Sequence, residues 1–522
     1  MLESKEHPGK RYLSIGEHPL SSLDHINWKT APPIFKLYRD CPHIALTDAQ
    51  GNWQHACEHT NRRELSIGSV LASIYGLTRQ NRTTAEALQT AFGYAAGNVT
   101  RNVIHSFLRR PVPSGGGLFP CEVYLLVGQG QNLPSGIYHY DALHHALDIL
   151  RVGDYSAYLK SCLMQQEGDA PALALLLSCF FWKSGYKYLE FGYRLQSLDI
   201  GVVIAQSLLA VSSEAWQPIV HYLFLDQVAN QLLGLEHLYE STYAVISLCM
   251  QQTAEEQEAS LHALAPIPWQ VEPEAGPTTS LAQWPLLEKL HRASQMTAPI
   301  ARTEPQRLPS LPIPSGSSIA LPLPASLDMR NALYQRHSAR LYFKRGEITQ
   351  QQMSALLTEG ARGYTNDLDG YAAVLQHTLL YCVINAVEGM QPGIYVYYAE
   401  RGALELLYAG DSRGELQDTL TWSFSYNMWN VSVCIFPVAD YEQGFAIYGD
   451  RWYRIQNMEA GMLIQRLYLC SAALELGCQA NLGYHTARAC ELLRLPQGWR
   501  CLAQILLGPE EQAGQYYEQV LW

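Results

Sequence analysis

The 522-residue chain writes one pattern twice. Gly136–Asp154 (GIYHYDALHHALDILRVGD) aligns without a gap to Gly393–Asp411 (GIYVYYAERGALELLYAGD), and more than half of the positions are identical. Further on, Glu190–Gly201 (EFGYRLQSLDIG) pairs with Asp450–Gly461 (DRWYRIQNMEAG), and Leu232–Glu236 (LLGLE) with Leu492–Pro496 (LLRLP), in the same order and at nearly the same spacing. A period this long marks a duplicated domain rather than a solenoid repeat. The duplication predicts two related domains, 1–255 and 326–522. Residues 256–325 lie between them and hold nearly half of the 27 prolines, in a stretch that includes PSLPIPSGSSIALPLPAS. Such a segment supports neither a continuous helix nor a central strand, so it reads as an extended linker. Within it only SLAQWPLLEKLHRASQ (280–295) has helical periodicity, and it is placed to dock on a neighbouring domain.

Each copy mixes helix and strand. LSIGSVLASIYGLTRQ and ITQQQMSALLTEGARG have helical spacing. CEVYLLVGQ, GIYHY and ALALLLSCFF in the first copy, and TLLYCVINAV, GIYVY and VSVCIFPVA in the second, read as strands. A long apolar helix follows in each, beginning at Gly201 and at Gly461. The fold class is α+β, with a small sheet covered by helices in each domain.

Composition narrows the function classes. Apolar residues reach 48%, charged residues only 16%, and the formal net charge is -12. That balance argues against nucleic-acid binding, which needs a basic footprint. The N-terminal residues carry no apolar signal core. The longest uncharged apolar runs, Ala170–Trp182 and Ile200–Ser213, fall short of a bilayer span, so no membrane segment is expected. Twelve cysteines occur with no CxxC pair, which points to reduced thiols, no metal centre and a cytoplasmic location.

Three clusters could carry chemistry. Pro113-Ser114-Gly115-Gly116-Gly117-Leu118-Phe119-Pro120 precedes a strand, and its glycines allow close backbone approach to a flat or anionic ligand; a tight turn would use the same residues. Gln335-Arg336-His337-Ser338-Ala339-Arg340 offers two guanidinium groups and a hydroxyl for a phosphate, or a solvated basic helix start. Tyr186-Lys187-Tyr188 could place a desolvated lysine beside a tyrosine for proton transfer, or begin an amphipathic helix. Elsewhere, His144-His145 reads as a polar turn, and Asn481-Leu482-Gly483-Tyr484-His485 as a helix C-cap.

Together these residues resemble the nitroreductase-type flavoproteins, and among them the SagB/ThcOx-type (McbC-like) dehydrogenases. The resemblance rests on RRPVPSGGGLFPCEVYLLV (Arg109–Val127), GIYHYDALHHALDIL (Gly136–Leu150), YKYLEFGYRLQSLDIG (Tyr186–Gly201) and Arg336–Arg340. It covers both copies and implies FMN and oxidation of an azoline, in a peptide or carrier-bound substrate, to an azole. It further implies that Arg336, His337, Ser338 and Arg340 bind the FMN phosphate. Pro113, Ser114, Gly115, Gly116, Gly117 and Leu118 would line the flavin, Gly483 would meet its other edge, and Lys187 and Tyr188 would manage the substrate proton. The family sets each flavin between two subunits, and here the parts are divided between the copies. The first has PSGGG but only Asn61-Arg62-Arg63-Glu64 where a basic motif would stand; the second has Asp369-Gly370-Tyr371-Ala372-Ala373 in place of PSGGG. The expectation is an intramolecular pseudo-dimer, monomeric or further paired, with one complete FMN site and possible biosynthetic partner enzymes. The chain departs from the family's pattern at Ile200-Gly201-Val202, which lacks the usual Gly-His, at Phe191 in place of Arg, and in its acidic tail. An NAD(P)H-dependent nitro- or quinone reductase and a flavin-free peptide-binding scaffold are the competing readings.

Overall fold

The computed structural model describes residues 7–15, 26, 31–46, 67–84, 104–164, 170–211, 216–251, 264–269, 271–272, 280–298, 318–368, 370–371, 377–511 and 517–520. Two largely antiparallel sheets form its frame. In the first, the strands run in the order Ile219–His221, Glu240–Gln251, Ala170–Phe180, Cys121–Val127, Gly136–Asp141, Ala146–Val152 and His43–Ala45. The second repeats that order as Gly477–Asn481, Gln504–Gly508, Val433–Asp440, Leu379–Ile384, Gly393–Tyr398, Ala403–Ala409 and Ser318–Ala320. The repeat reaches fine detail. Both central hairpins break register one residue into the strand, between Ile137 and Tyr138 and between Ile394 and Tyr395. Both turn through a left-handed residue, His145 (φ 50°) and Gly402 (φ 57°).

Each sheet is buried on both faces, which is why its strands read as continuous apolar runs rather than alternations. Along Cys121–Val127, the residues Cys121, Val123, Leu125 and Val127 face a central core, while Tyr124 and Leu126 face an outer one. Along Val433–Asp440, Val433 and Ile435 face the same central core, and Cys434, Phe436 and Val438 an outer one. Two long helices fill the space between the sheets, Gly192–Val211 and Arg451–Ala473. They cross at Gly201 and Gly461, equivalent positions of the repeat. A Cβ on Gly201 would stand 1.9 Å from the Met458 carbonyl oxygen, and one on Gly461 2.0 Å from that of Leu198.

Both helices begin earlier than the apolar pattern predicts, because Arg194, Gln196, Asp199 and their counterparts interrupt it in sequence but are buried in the fold. The two equivalent arginines find partners across the pseudo-twofold. Arg194 Nη2 donates to Leu502 O (2.7 Å), and the equivalent Arg454 Nη2 donates to Thr242 O (2.7 Å). Tyr193 and Tyr453 stack on each other with centroids 6.1 Å apart. The helical stretch Trp182–Val211 is long and apolar enough to cross a membrane, a length the sequence runs did not reveal; 83% of its apolar window is buried inside the protein.

The sheets are not small, with nine and eight strands. The enlargement comes from segments outside each copy's own core. Thr365–Asn366 and Gly370–Tyr371 of the second copy extend the first sheet through a parallel pairing of Asn366 with Val220. Ser318–Ala320 of the linker edges the second sheet against Ala403–Ala409. Tyr517–Val520 pairs with Arg79–Thr84, which pairs with Ile104–Arg109, so a third sheet is built from both copies. Nor is the linker only an extended connector. Val271–Glu272 pairs with Leu37–Tyr38, and the helix Pro285–Ser294 docks through buried Leu287, Leu290 and His291. Past that helix, Met296 N donates to Asp226 Oδ2 (2.7 Å), and the same carboxylate takes Arg451 and Arg454 of the second copy.

Candidate functional site

A cavity of about 350 Å³ opens where the two copies meet. The first copy contributes Pro113–Gly116, Tyr188, Phe191 and Asp199; the second contributes Ser338, Trp422, Tyr426, Tyr468 and Gln479–Gly483.

The glycine loop is held from beneath by the first long helix. Ser114 Oγ donates to Asp199 Oδ2 (2.6 Å), Gly115 N lies 3.2 and 3.3 Å from the two carboxylate oxygens, and Phe119 N donates to Ser114 Oγ (2.9 Å). Gly116 and Gly117 turn the loop with φ of 65° and 69°, a region glycine enters without strain. The absence of a side chain at Gly116 is also a matter of space: a Cβ there would stand 2.4 Å from Tyr188 Oη and 2.9 Å from Lys187 Nζ. The glycine therefore admits the lysine and tyrosine to the loop. Lys187 Nζ lies 5.1 Å from the centroid of the Tyr188 ring, and burial lowers its pKa. The pair ends the helix Trp182–Tyr188 rather than beginning one. Leu189 follows with φ 50° and ψ -134°, where the equivalent residue of the second copy is Gly449 (φ 58°), so this turn is strained in the first copy. Gly117 and Leu118 shape the loop without lining the cavity.

In the second copy the basic motif lies against the last third of the other long helix. Ser338 Oγ donates to Tyr468 Oη (3.2 Å), which also accepts Ala480 N (2.9 Å). Arg336 is buried, its Nε donates to Pro111 O of the first copy (2.7 Å), and its guanidinium lies 5.3 Å from the Tyr468 ring centroid. Arg336 Nη1 is buried with no hydrogen-bond partner among the described residues. Burial, with the nearby charges of Arg79 and Arg109, pushes the pKa of Arg336 down to about 10, although Tyr468 acts in the opposite sense. Arg340 has φ 52°, and its N–H donates to Gln479 Oε1 (3.0 Å). His337 is paired with Glu510 and its Nδ1 donates to Gln335 O (3.1 Å), so the acidic tail neutralises it. Gly483 follows a strand, Gly477–Asn481, not a helix, which corrects the C-cap reading; Asn481 Oδ1 accepts its N–H (2.9 Å) in an Asx-type turn. His144-His145 does lie in a hairpin turn, held by Asp141.

The pseudo-symmetric location is packed with side chains. Ile447 and Tyr448 stand in the repeat positions of Lys187 and Tyr188, Glu459 in that of Asp199, and Tyr222-Leu223 in that of Leu482-Gly483. Tyr222 is fully buried, with its Oη 2.9 Å from Tyr364 Oη. Tyr364 Oη donates to Glu459 Oε1 (3.2 Å), which also bonds His377 Nδ1 (3.0 Å), and Asp367 receives Tyr222 N and Leu223 N (2.9 Å each). Asn61–Glu64, and Asp369, Ala372 and Ala373, lie outside the described residues.

Sequence reasoning did not reach several site residues. Tyr468 is one apolar position in a long buried helix, and Asp199 one polar position in another. Arg79 and Arg109, whose charges act on Arg336, sit in a different copy from it. The aromatic-rich run TWSFSYNMWN (421–430) is the signal that could have found two more: it places Trp422 and Tyr426 on the cavity, and in the same run Phe424 is 78% and Trp429 50% exposed.

Residues 333–509 match the nitroreductase family model. The chain is 28% identical over 195 residues to the trifolitoxin-processing protein TfxB of Rhizobium leguminosarum bv. trifolii, covering 36% of this chain and 51% of that protein. It is 25% identical over 201 residues to the microcin B17-processing protein McbC of Escherichia coli, covering 34% of this chain and 73% of that one. The chain thus spans about half the length of the first of these relatives. A crystal structure from Anabaena variabilis described as a putative nitroreductase superposes with a TM-score of 0.73 at 23% identity, over 97% of this chain and 100% of that one. The fold is therefore the nitroreductase fold, and it runs through both copies.

Proposed function

We propose that this McbC-like protein of the nitroreductase fold is an FMN-dependent oxidoreductase that dehydrogenates an azoline-type heterocycle in a peptide or carrier-bound substrate. The observation that carries the reading is a cavity lined by the glycine loop of one copy and, from the other, by Ser338 of the basic motif. The residues suit the cofactor. Pro113–Gly116 line the cavity wall against which a flat ring would lie, and the buried Arg336 Nη1, which has no hydrogen-bond partner among the described residues, suits a phosphate oxygen. Ser338 and Arg340 would join Arg336 at the phosphate. Arg79 and Arg109 from the first copy would supply basic charge that the acidic tail does not. Pro113, Ser114 and the backbone to Leu118 would line one side of the ring, and Gly483 the other edge. His337, tied to Glu510, is left out of this set.

When bound, FMN would accept a hydride from the substrate. The chain's own part is the proton and the positioning. Lys187, whose pKa burial lowers, would take the ring proton on its Nζ, and Tyr188 Oη shares its approach over Gly116. Trp422, Phe424 and Trp429 give the substrate an aromatic lip across which to enter. Partner enzymes that install the heterocycle fit the same reading.

The test is the purified chain. A yellow protein with one FMN per chain is expected, and Lys187→Ala should keep the colour while abolishing turnover of an azoline-containing peptide. Protein that stays colourless after incubation with FMN would sink the proposal and favour a scaffold role. Rapid reduction by NADPH with turnover of nitroarenes would favour a general reductase.

A further inference from the structure

We propose that Asp199 is a positioning residue that sets the direction of the Ser114 hydroxyl, and so decides whether the glycine loop offers the cavity ligand a hydrogen-bond donor. The inference rests on the reading of the cavity as the flavin site.

Ser114 Oγ is both donor and acceptor in the observed arrangement, since it gives its proton to Asp199 and receives one from Phe119 N. With Asp199 ionised, the hydroxyl proton is committed to the carboxylate, and the cavity meets only an oxygen lone pair. With Asp199 protonated, the carboxylic acid can donate to Ser114 Oγ instead, and the hydroxyl proton is released to turn toward the cavity. Nothing else in the loop need move, because Phe119 N and Gly115 N keep acceptors in both states.

Asp199 is built to change state near neutrality. It lines the cavity yet is only 7% exposed. Ser114 on the loop bonds it, and the titratable groups that feel its charge are Tyr75 on one helix and Cys121 and Cys179 on two strands, each pushed toward its uncharged form by burial. Burial without a countercharge raises its pKa to about 7 against the opposing hydrogen bonds from Ser114 and Gly115. The second copy shows the alternative use of this helical position. Glu459 bonds His377 and Tyr364 instead of a glycine loop.

The experiment is a pH titration of the FMN-loaded chain followed by its visible absorption. The flavin band should shift through one transition between about pH 5.5 and 8.5. Asp199→Asn and Ser114→Ala should each retain FMN and lose the transition, whereas Lys187→Met should keep it, which separates the carboxyl from the lysine. Cofactor-free protein gives an independent readout, the infrared band of the protonated carboxyl, which should fade over the same range and be missing in Asp199→Asn. A wild-type flavin band that does not move, a transition that survives in both variants, or no such infrared band would each overturn the proposal. Failure to take up FMN would refute the flavin reading instead, and the infrared titration would still decide the state of Asp199.

Discussion

Gly116 is where the loop, the lysine and the tyrosine meet, so a single methyl group tests the arrangement. An alanine there would have to displace Tyr188 Oη and Lys187 Nζ while holding a left-handed φ of 65°, at a conformational cost of about 1 kcal/mol. Gly116→Ala should leave the melting temperature within a few degrees of the parent but lower turnover at least tenfold, measured on FMN-loaded protein. Asp199 makes a second prediction, with a definite sign. Its folded pKa, about 7 against 3.8 for the free side chain, means that the folded state holds a proton the unfolded chain releases. The contribution of this group to stability is therefore full below about pH 4 and falls as pH rises to about 7, by up to about 4 kcal/mol. Asp199→Asn removes that loss, so its melting temperature relative to wild type should climb between about pH 4 and 7 and level off above; parallel curves would count against it. The glycines were legible because three in a row before a strand have few uses. Asp199 was not, because its role depends on a loop far away in sequence.

The two long helices show what the repeat meant at the level of elements. Their crossing brings Gly201 and Gly461 so close that a side chain on either would strike the other helix's backbone. Backbone cannot move aside as a flexible side chain can, so Gly461→Ala should destabilise by about 3 kcal/mol or more, toward the upper end for overpacking. Chemical denaturation would measure this, with Gly414→Ala as a control because its Cβ would meet nothing within 4 Å. The sequence blocks that end in these glycines were visible as a repeat. That they were helical was not, since Arg194, Gln196 and Asp199 break the apolar pattern expected of a core helix. Their partners are carbonyls and loops supplied by other elements, so burial is permitted without a local signature.

Across the whole molecule the copies are laced rather than apposed. Strand Thr365–Asn366 of one copy pairs with the sheet of the other, Tyr517–Val520 pairs across them, and Asp226 gathers Met296 and two arginines from the second copy. Each half alone would expose strand edges and the apolar central layer. Residues 1–298 and 318–522 made separately should therefore aggregate, and co-expressed should recover a soluble one-to-one complex, as size-exclusion chromatography would show. Stable, monomeric single halves would contradict the lacing. The same asymmetry predicts one flavin per chain, because Tyr222, Tyr364 and Glu459 fill the counterpart of the cavity; two per chain by flavin absorbance would contradict it.

The amino-acid sequence by itself determined that one α+β domain is used twice, that a proline-rich segment joins the copies, and that PSGGG and RHSAR fall in different copies. Those are local patterns, readable because turn chemistry and strand alternation act over a few residues. Only the tertiary structure decided that the glycine loop and Ser338 line one cavity, that Arg79 and Arg109 stand near Arg336, that His337 is taken by Glu510, and that Tyr222 closes the other side. Each of these depends on contacts between residues more than a hundred positions apart. Such contacts are set by how the two long helices cross, and no periodicity in the chain encodes that crossing except the two glycines that allow it.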